Sequence, residues 1–152
     1  GLKLAIHKKQ VRKWKKLPKT FLLQKIFRSN FEQERIMIII SATLDFETKD
    51  DRDKAVILTK DIQMATRTEE EGCISYCFAA DPAVSNRIQV YELWKDEKSL
   101  VAHFTHHTYL EMVEVLNSVG IKETENQMYL IDKHKPVYDE NGNPRTVLFA
   151  DD

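Results

Sequence analysis

The period of the apolar residues changes in a fixed order along this chain, and that order leaves few folds open. Residues 87–95, RIQVYELWK, alternate strictly: Ile88, Val90, Glu92 and Trp94 fall on one face, Arg87, Gln89, Tyr91 and Leu93 on the other. A period of two marks a β-strand. Residues 37–46, MIIISATLDF, read the same way, with Ile38, Ile40, Ala42 and Leu44 opposite Ile39, Ser41 and Thr43. Residues 73–79, with Ile74, Tyr76 and Phe78 on one face, and residues 126–134, NQMYLIDKH, read as two further strands. Elsewhere the period lengthens to that of a helix. Residues 52–68 carry Val56, Ile57, Lys60, Met64 and Arg67 at helical spacing, after a charged break at 49–53 and before a stop at Gly72. Residues 96–105, capped by Asp96, carry Leu100, Val101 and Phe104, and residues 107–119 carry Leu110, Val113, Leu116 and Asn117 up to Gly120. The order β-α-β-β-α-β predicts an α+β, ferredoxin-like fold, an antiparallel sheet with helices on one face.

The other sheet face is then bare in a single copy. Neither face of the strands is purely polar, so the bare face needs a cover, and a second copy of the chain is the simplest one. A homodimer through the sheet face is therefore expected.

The charge divides the chain. Residues 1–35 hold eleven Lys and Arg against Glu32 and Glu34, a net of +9, while the remainder carries a net of −10. The expected organisation is a basic arm over 1–36, a domain over 37–135 and a tail over 136–152, where Asn141-Gly142 suggests a small hairpin. Within the arm, Leu22, Leu23, Ile26 and Phe27 share one helical face. Two origins fit it. It has the acid-poor character of a mitochondrial-type presequence. Alternatively, Gln33-Glu34-Arg35-Ile36-Met37 can be encoded by a purine-rich run ahead of ATG, which makes Met37 the initiator and 1–36 a translated leader. The arm carries no nucleic-acid-binding motif, so no nucleic-acid partner is expected.

No stretch approaches the ~18 uninterrupted apolar residues of a membrane span. The two common nucleotide-binding loops, GxGxxG and GxxxxGK[ST], are missing. Cys73 and Cys77 stand four residues apart on one strand, about 13 Å, too far to pair with each other. They read as buried thiols in a reducing, cytoplasmic setting.

The run Tyr91-Glu92-Leu93-Trp94-Lys95-Asp96, followed by Leu100 and His103-Phe104, resembles the antibiotic biosynthesis monooxygenase domain family. Glu71-Gly72-Cys73-x-Ser75-Tyr76, the Asn86-Arg87 turn and the start of the first strand match as well, so the resemblance covers about residues 37–132. It implies a dimeric α+β barrel with a pocket between helices and sheet. It also implies a cofactor-independent monooxygenase acting on a quinol-like or polyphenolic small molecule with molecular oxygen. Two alternatives share the fold: a non-catalytic dimeric ligand-binding module, and an isomerase. The family's haem degraders use an asparagine on the first strand. Residues 37–46 contain none, which speaks against haem, and no cofactor is expected.

His103 is the expected catalytic base, since an imidazole titrating near 6.5 suits proton transfer at neutral pH. Trp94 is the expected pocket wall, with ordinary core as its other reading. Tyr76, Phe78, Glu92, Ser41, Thr43, His106 and His107 are the expected substrate-binding residues. At the junction of the last two helices the family often has Ser-x-His; here Thr108 takes the histidine position and His107 stands one residue away. His103, His106 and His107 lack a carboxylate partner in the sequence around them, so no metal is expected. The glutamates 69–71 read as a solvated helix end.

Overall fold

The computed structural model describes residues 36–149. The expectations for the basic arm fall, but for Ile36, outside the described residues. Along the chain run β1 (Met37–Phe46), α1 (Lys49–Glu69), β2 (Cys73–Ala80), β3 (Arg87–Trp94), α2 (Glu97–His103), α3 (His107–Val119) and β4 (Ile121–Ile131). The four strands form one antiparallel sheet in the order β2-β3-β1-β4, so the α+β, ferredoxin-like arrangement holds. Among the described residues no helix is long and apolar enough to cross a membrane.

Register decides which side chains meet the helices. Ile38 lies opposite Trp94, Ile40 opposite Glu92 and Leu44 opposite Ile88, so the even-numbered residues of β1 and β3 share one face. That face packs under Leu100, Met112 and Leu116 of α2 and α3 and carries the buried core residues Ile38, Phe46, Ile88, Val90 and Trp94. A bidentate pair ties β1 to β3 on the other side, with Arg87 Nε and Nη2 donating to Asp45 at 2.6 and 2.7 Å.

The boundaries and faces differ from the sequence reading at four places. The charged run 49–53 is the first turn of α1. Thr48 caps it by accepting from the Asp51 N–H at 3.1 Å, and Asp50 and Asp51 suit the positive end of the helix. β4 begins at Ile121, well before residue 126, because this exposed edge strand has no buried face to impose an apolar alternation. Ile74 is 54% exposed and does not join Tyr76 and Phe78, because the β2–β3 register slips between Cys73 and Ser75 and leaves Ile74 as the extra residue of a bulge. The face of α1 is also turned. Ile57 and Met64 are open to solvent, while Arg52, Ala55, Thr59, Ile62, Gln63 and Thr66 are buried.

The buried face of α1 is polar for a reason. β2 is an edge strand, and α1 satisfies its outward backbone groups. Gln63 Oε1 accepts from the Phe78 N–H at 2.9 Å, and Gln63 Nε2 donates to the Phe78 carbonyl at 3.4 Å. Arg67 Nε donates to the Tyr76 carbonyl at 2.6 Å. The helix therefore grips the backbone of two residues whose side chains point at the sheet's helix-covered face. The turn between α1 and β2 is close-packed as well. Gly72 has φ +88°, and a Cβ there would stand 2.1 Å from Ser99 Oγ of α2. In the tail, Tyr138 bridges to Pro144 around Asn141 and Gly142, the latter at φ +79°.

Candidate active site

Alternation sends every second side chain of the sheet toward α3, and there a cavity of about 500 Å³ opens. Its floor is Ile40, Ala42 and Leu44 of β1, Tyr76 and Phe78 of β2, and Val90 and Glu92 of β3. Phe104, Tyr109, Met112, Val113 and Leu116 form the helical wall, and Thr124, Asn126, Gln127 and Met128 of β4 form the rim. The lining is apolar and aromatic with few polar groups, the usual make-up of a small-molecule site. Tyr76 and Phe78 lie with ring centroids 5.1 Å apart, and Phe104 meets Tyr109 edge-on at 5.4 Å.

Glu92 is the buried carboxyl of this wall, 6% exposed. Burial pushes it up to about 7; Trp94 Nε1–H, donated to Oε2 at 2.9 Å, works the other way, and the charge of Glu70 raises it again. It therefore changes protonation near neutrality, as an acid–base group must. Tyr76, directly opposite in the β2–β3 ladder, has its phenol held protonated by burial and by the Glu92 and Glu70 charges. Burial likewise pushes the Cys73 thiol up to about 11.

Trp94 and His103 come together, but behind the cavity. Their rings stack at 4.6 Å between centroids, and neither is among the residues lining the cavity. Trp94 is fully buried and His103 is 2% exposed. His103 Nδ1 lies 2.8 Å from Glu70 Oε2, so it carries the proton and the carboxylate accepts. Burial holds His103 below its ordinary value, against the pull of Glu70. Thr108 Oγ1–H donates to Glu70 Oε1 at 2.5 Å. Glu70, read from sequence as part of a solvated helix end, is thus the buried partner of His103, its side chain 5% exposed. Ordered from the cavity inward, the network is Glu92, Trp94, His103, Glu70, Thr108.

The remaining expected site residues stand elsewhere. Ser41 and Thr43 alternate to the opposite face of β1, away from the cavity. His106 is half-buried at the α3 N-cap, its Nδ1 2.9 Å from Thr108 Oγ1. His107 is exposed between Glu69 and Glu111. The sequence reading missed Glu70, Phe104, Tyr109, Met112 and Asn126 as parts of this region. For Phe104 the sign was its place beside His103; for Glu70 no periodicity points inward, because it lies one residue past the helix.

The profile of the antibiotic biosynthesis monooxygenase family matches residues 37–115, just over half of the 152 residues. The chain belongs to this family. All the strands, helices and floor residues described above up to mid-α3 lie inside that match, and β4 lies beyond it. The antibiotic biosynthesis monooxygenase fold recurs in a solved structure from Deinococcus radiodurans, a candidate member of the family. It is 18% identical with TM-score 0.59, covering 67% of this chain and 99% of that one. A conserved protein of Methanosarcina mazei is 24% identical with TM-score 0.53, covering 66% of this chain and 96% of that one. At these identities the likeness shows the fold alone. An uncharacterised protein of a Synechocystis strain is 28% identical over 87 residues, 57% of this chain; the match spans 59% of that relative's length.

Proposed function

We propose that this protein is a cofactor-independent monooxygenase that oxidises a quinol-like or polyphenolic small molecule with molecular oxygen. The observation that carries the reading is Glu92, a buried carboxyl titrating near 7 in the wall of an aromatic-lined cavity. The flat substrate lies between the Tyr76–Phe78 floor and the Phe104–Tyr109 wall, where stacking favours a planar ring. Glu92 takes the phenolic proton. The electron-rich anion then reduces oxygen directly. One oxygen atom replaces a ring hydrogen, the other leaves as water, and the quinol supplies all four electrons as it becomes a hydroxyquinone. Trp94 and His103 act as positioning residues: Trp94 holds Glu92 Oε2, and His103, tethered to Glu70, holds the Trp94 ring.

The second copy belongs to the same reading. Ile39, Leu93 and Tyr129 are neighbours in the ladders, as are Ser41 and Tyr91, on the face without helices. Tyr91 is 43% and Tyr129 53% exposed, and an identical face covers them in a homodimer.

The test is oxygen uptake by the full chain with a panel of quinols, without flavin and in the presence of a chelator. Hydroxyquinone formation matching oxygen uptake one to one, and its loss in Glu92→Gln, is the expected result. Quinols that bind and quench tryptophan fluorescence without any oxygen uptake would replace the enzyme with a ligand-binding module.

A further inference from the structure

The last residue of α1, Glu69, meets the first residues of α3 outside the cavity. One ligand atom from each of Glu69, His106 and His107 lies within 4.8 Å of the other two. His107 Nε2 stands 2.8 Å from Glu69 Oε2, and the two imidazole rings are 4.5 Å apart between centroids. The carboxylate of the cluster comes from the far end of another helix, 38 residues before His107, in addition to Glu111 one turn along α3.

We propose that Glu69, His106 and His107 bind a divalent transition metal of the zinc type. Two imidazole nitrogens and one carboxylate oxygen are the donors such ions take, whereas calcium and magnesium prefer oxygen alone. Around zinc, bonds of about 2.0–2.2 Å put tetrahedral ligands roughly 3.4 Å apart. Atoms already within 4.8 Å reach that spacing by small rotations. The side chains are free to make them, since His107 is 57% and Glu69 49% exposed. Water takes the fourth position.

Neighbouring groups hold both imidazoles in place. His107 Nδ1 lies 3.2 Å from Glu111 Oε1, one turn along α3; a proton given to that carboxylate leaves Nε2 bare, facing Glu69. His106 Nδ1 sits at the α3 N-cap, accepting from the Thr108 backbone N–H at 3.4 Å and lying 2.9 Å from Thr108 Oγ1, which holds its ring beside that of His107. The surrounding charge favours a cation, with Glu69, Glu70 and Glu111 all within this junction. A bound ion would clamp the end of α1 to the start of α3, one residue from the carboxylate that holds His103.

The experiment titrates zinc into the chelator-stripped full chain by calorimetry and follows the melting temperature, with magnesium as the control ion. We expect one zinc site, a melting temperature that rises with zinc and not with magnesium, and affinity weakened at least about 10- to 100-fold in His107→Gln and in Glu69→Gln. Glu111→Gln weakens binding through His107, and the tail variant His134→Gln leaves it unchanged. These are exposed positions, so circular dichroism of each variant matches the parent. Zinc bound as tightly by His107→Gln and Glu69→Gln as by the parent, or no zinc bound by the parent, would overturn the assignment.

Discussion

Replacing Glu92 by glutamine tests the cavity wall through stability before any substrate is known. In the unfolded chain this carboxyl titrates near 4.5, and in the folded one near 7. Between those values the folded state keeps a proton that the unfolded state has released. Its stability therefore falls as pH rises through this window and levels off above it. Moving from near 4.5 to near 7 corresponds to about 3 kcal/mol. Glutamine keeps an oxygen for Trp94 Nε1–H but cannot ionise. Its extra buried N–H groups cost about 1–3 kcal/mol, equally at every pH. The informative quantity is thus a double difference. Urea unfolding at one fixed protomer concentration, repeated from pH 4.5 to 7, should show the parent losing about 3 kcal/mol that Glu92→Gln does not lose. His103 titrates in both proteins and cancels. Parallel stability profiles would mean that Glu92 ionises normally, and the acid–base assignment would fall with it. With an active quinol, the same variant should lower turnover about 10²–10⁴-fold and abolish the rise in rate near pH 7.

Trp94→Phe removes the N–H that holds Oε2, so the midpoint of the parent's pH–rate profile should move upward; an unmoved midpoint would release Trp94 from its positioning role. His103→Gln should lower stability by about 1–3 kcal/mol, since it unmakes a buried bond to Glu70, and should reduce turnover less than Glu92→Gln does; urea midpoints and rates measured together decide the order. Tyr91→Lys on the bare face should convert a particle of twice 17.8 kDa into a monomer by light scattering, and a monomeric parent would remove the proposed interface. Deleting residues 1–36 should leave far-ultraviolet dichroism and melting cooperative, because all seven described elements begin at Met37 or later.

The element order, and which residues share a strand face, were legible in the sequence where one face is buried. Ile88, Val90, Glu92 and Trp94 alternate because the fold needs them to, and the same alternation puts Glu92 beside Trp94. The face of α1 was not legible, because the buried Gln63 is there for its hydrogen bonds to an edge strand and looks like a surface residue in any hydropathy pattern. The site was half legible for a similar reason. Its aromatic floor follows from strand alternation. The depth of His103 depends on Glu70, brought across from another helix, and only the packed fold shows that His103 lies behind the cavity wall and Glu92 forms part of it.

The grip of Gln63 and Arg67 on β2 also limits how copies of this sheet can add to one another. Of its two outer strands, β2 has the Tyr76 carbonyl and both backbone groups of Phe78 bonded to α1, while among the described residues no strand pairs with the outer edge of β4. Growth by head-to-tail strand addition needs a free edge on each side, the geometry that runs on into fibres. With one edge held from within, edge pairing among the described strands is left to β4 against β4. That contact is twofold, the same strand on both copies, so the helix that shapes the cavity floor also blocks head-to-tail strand addition.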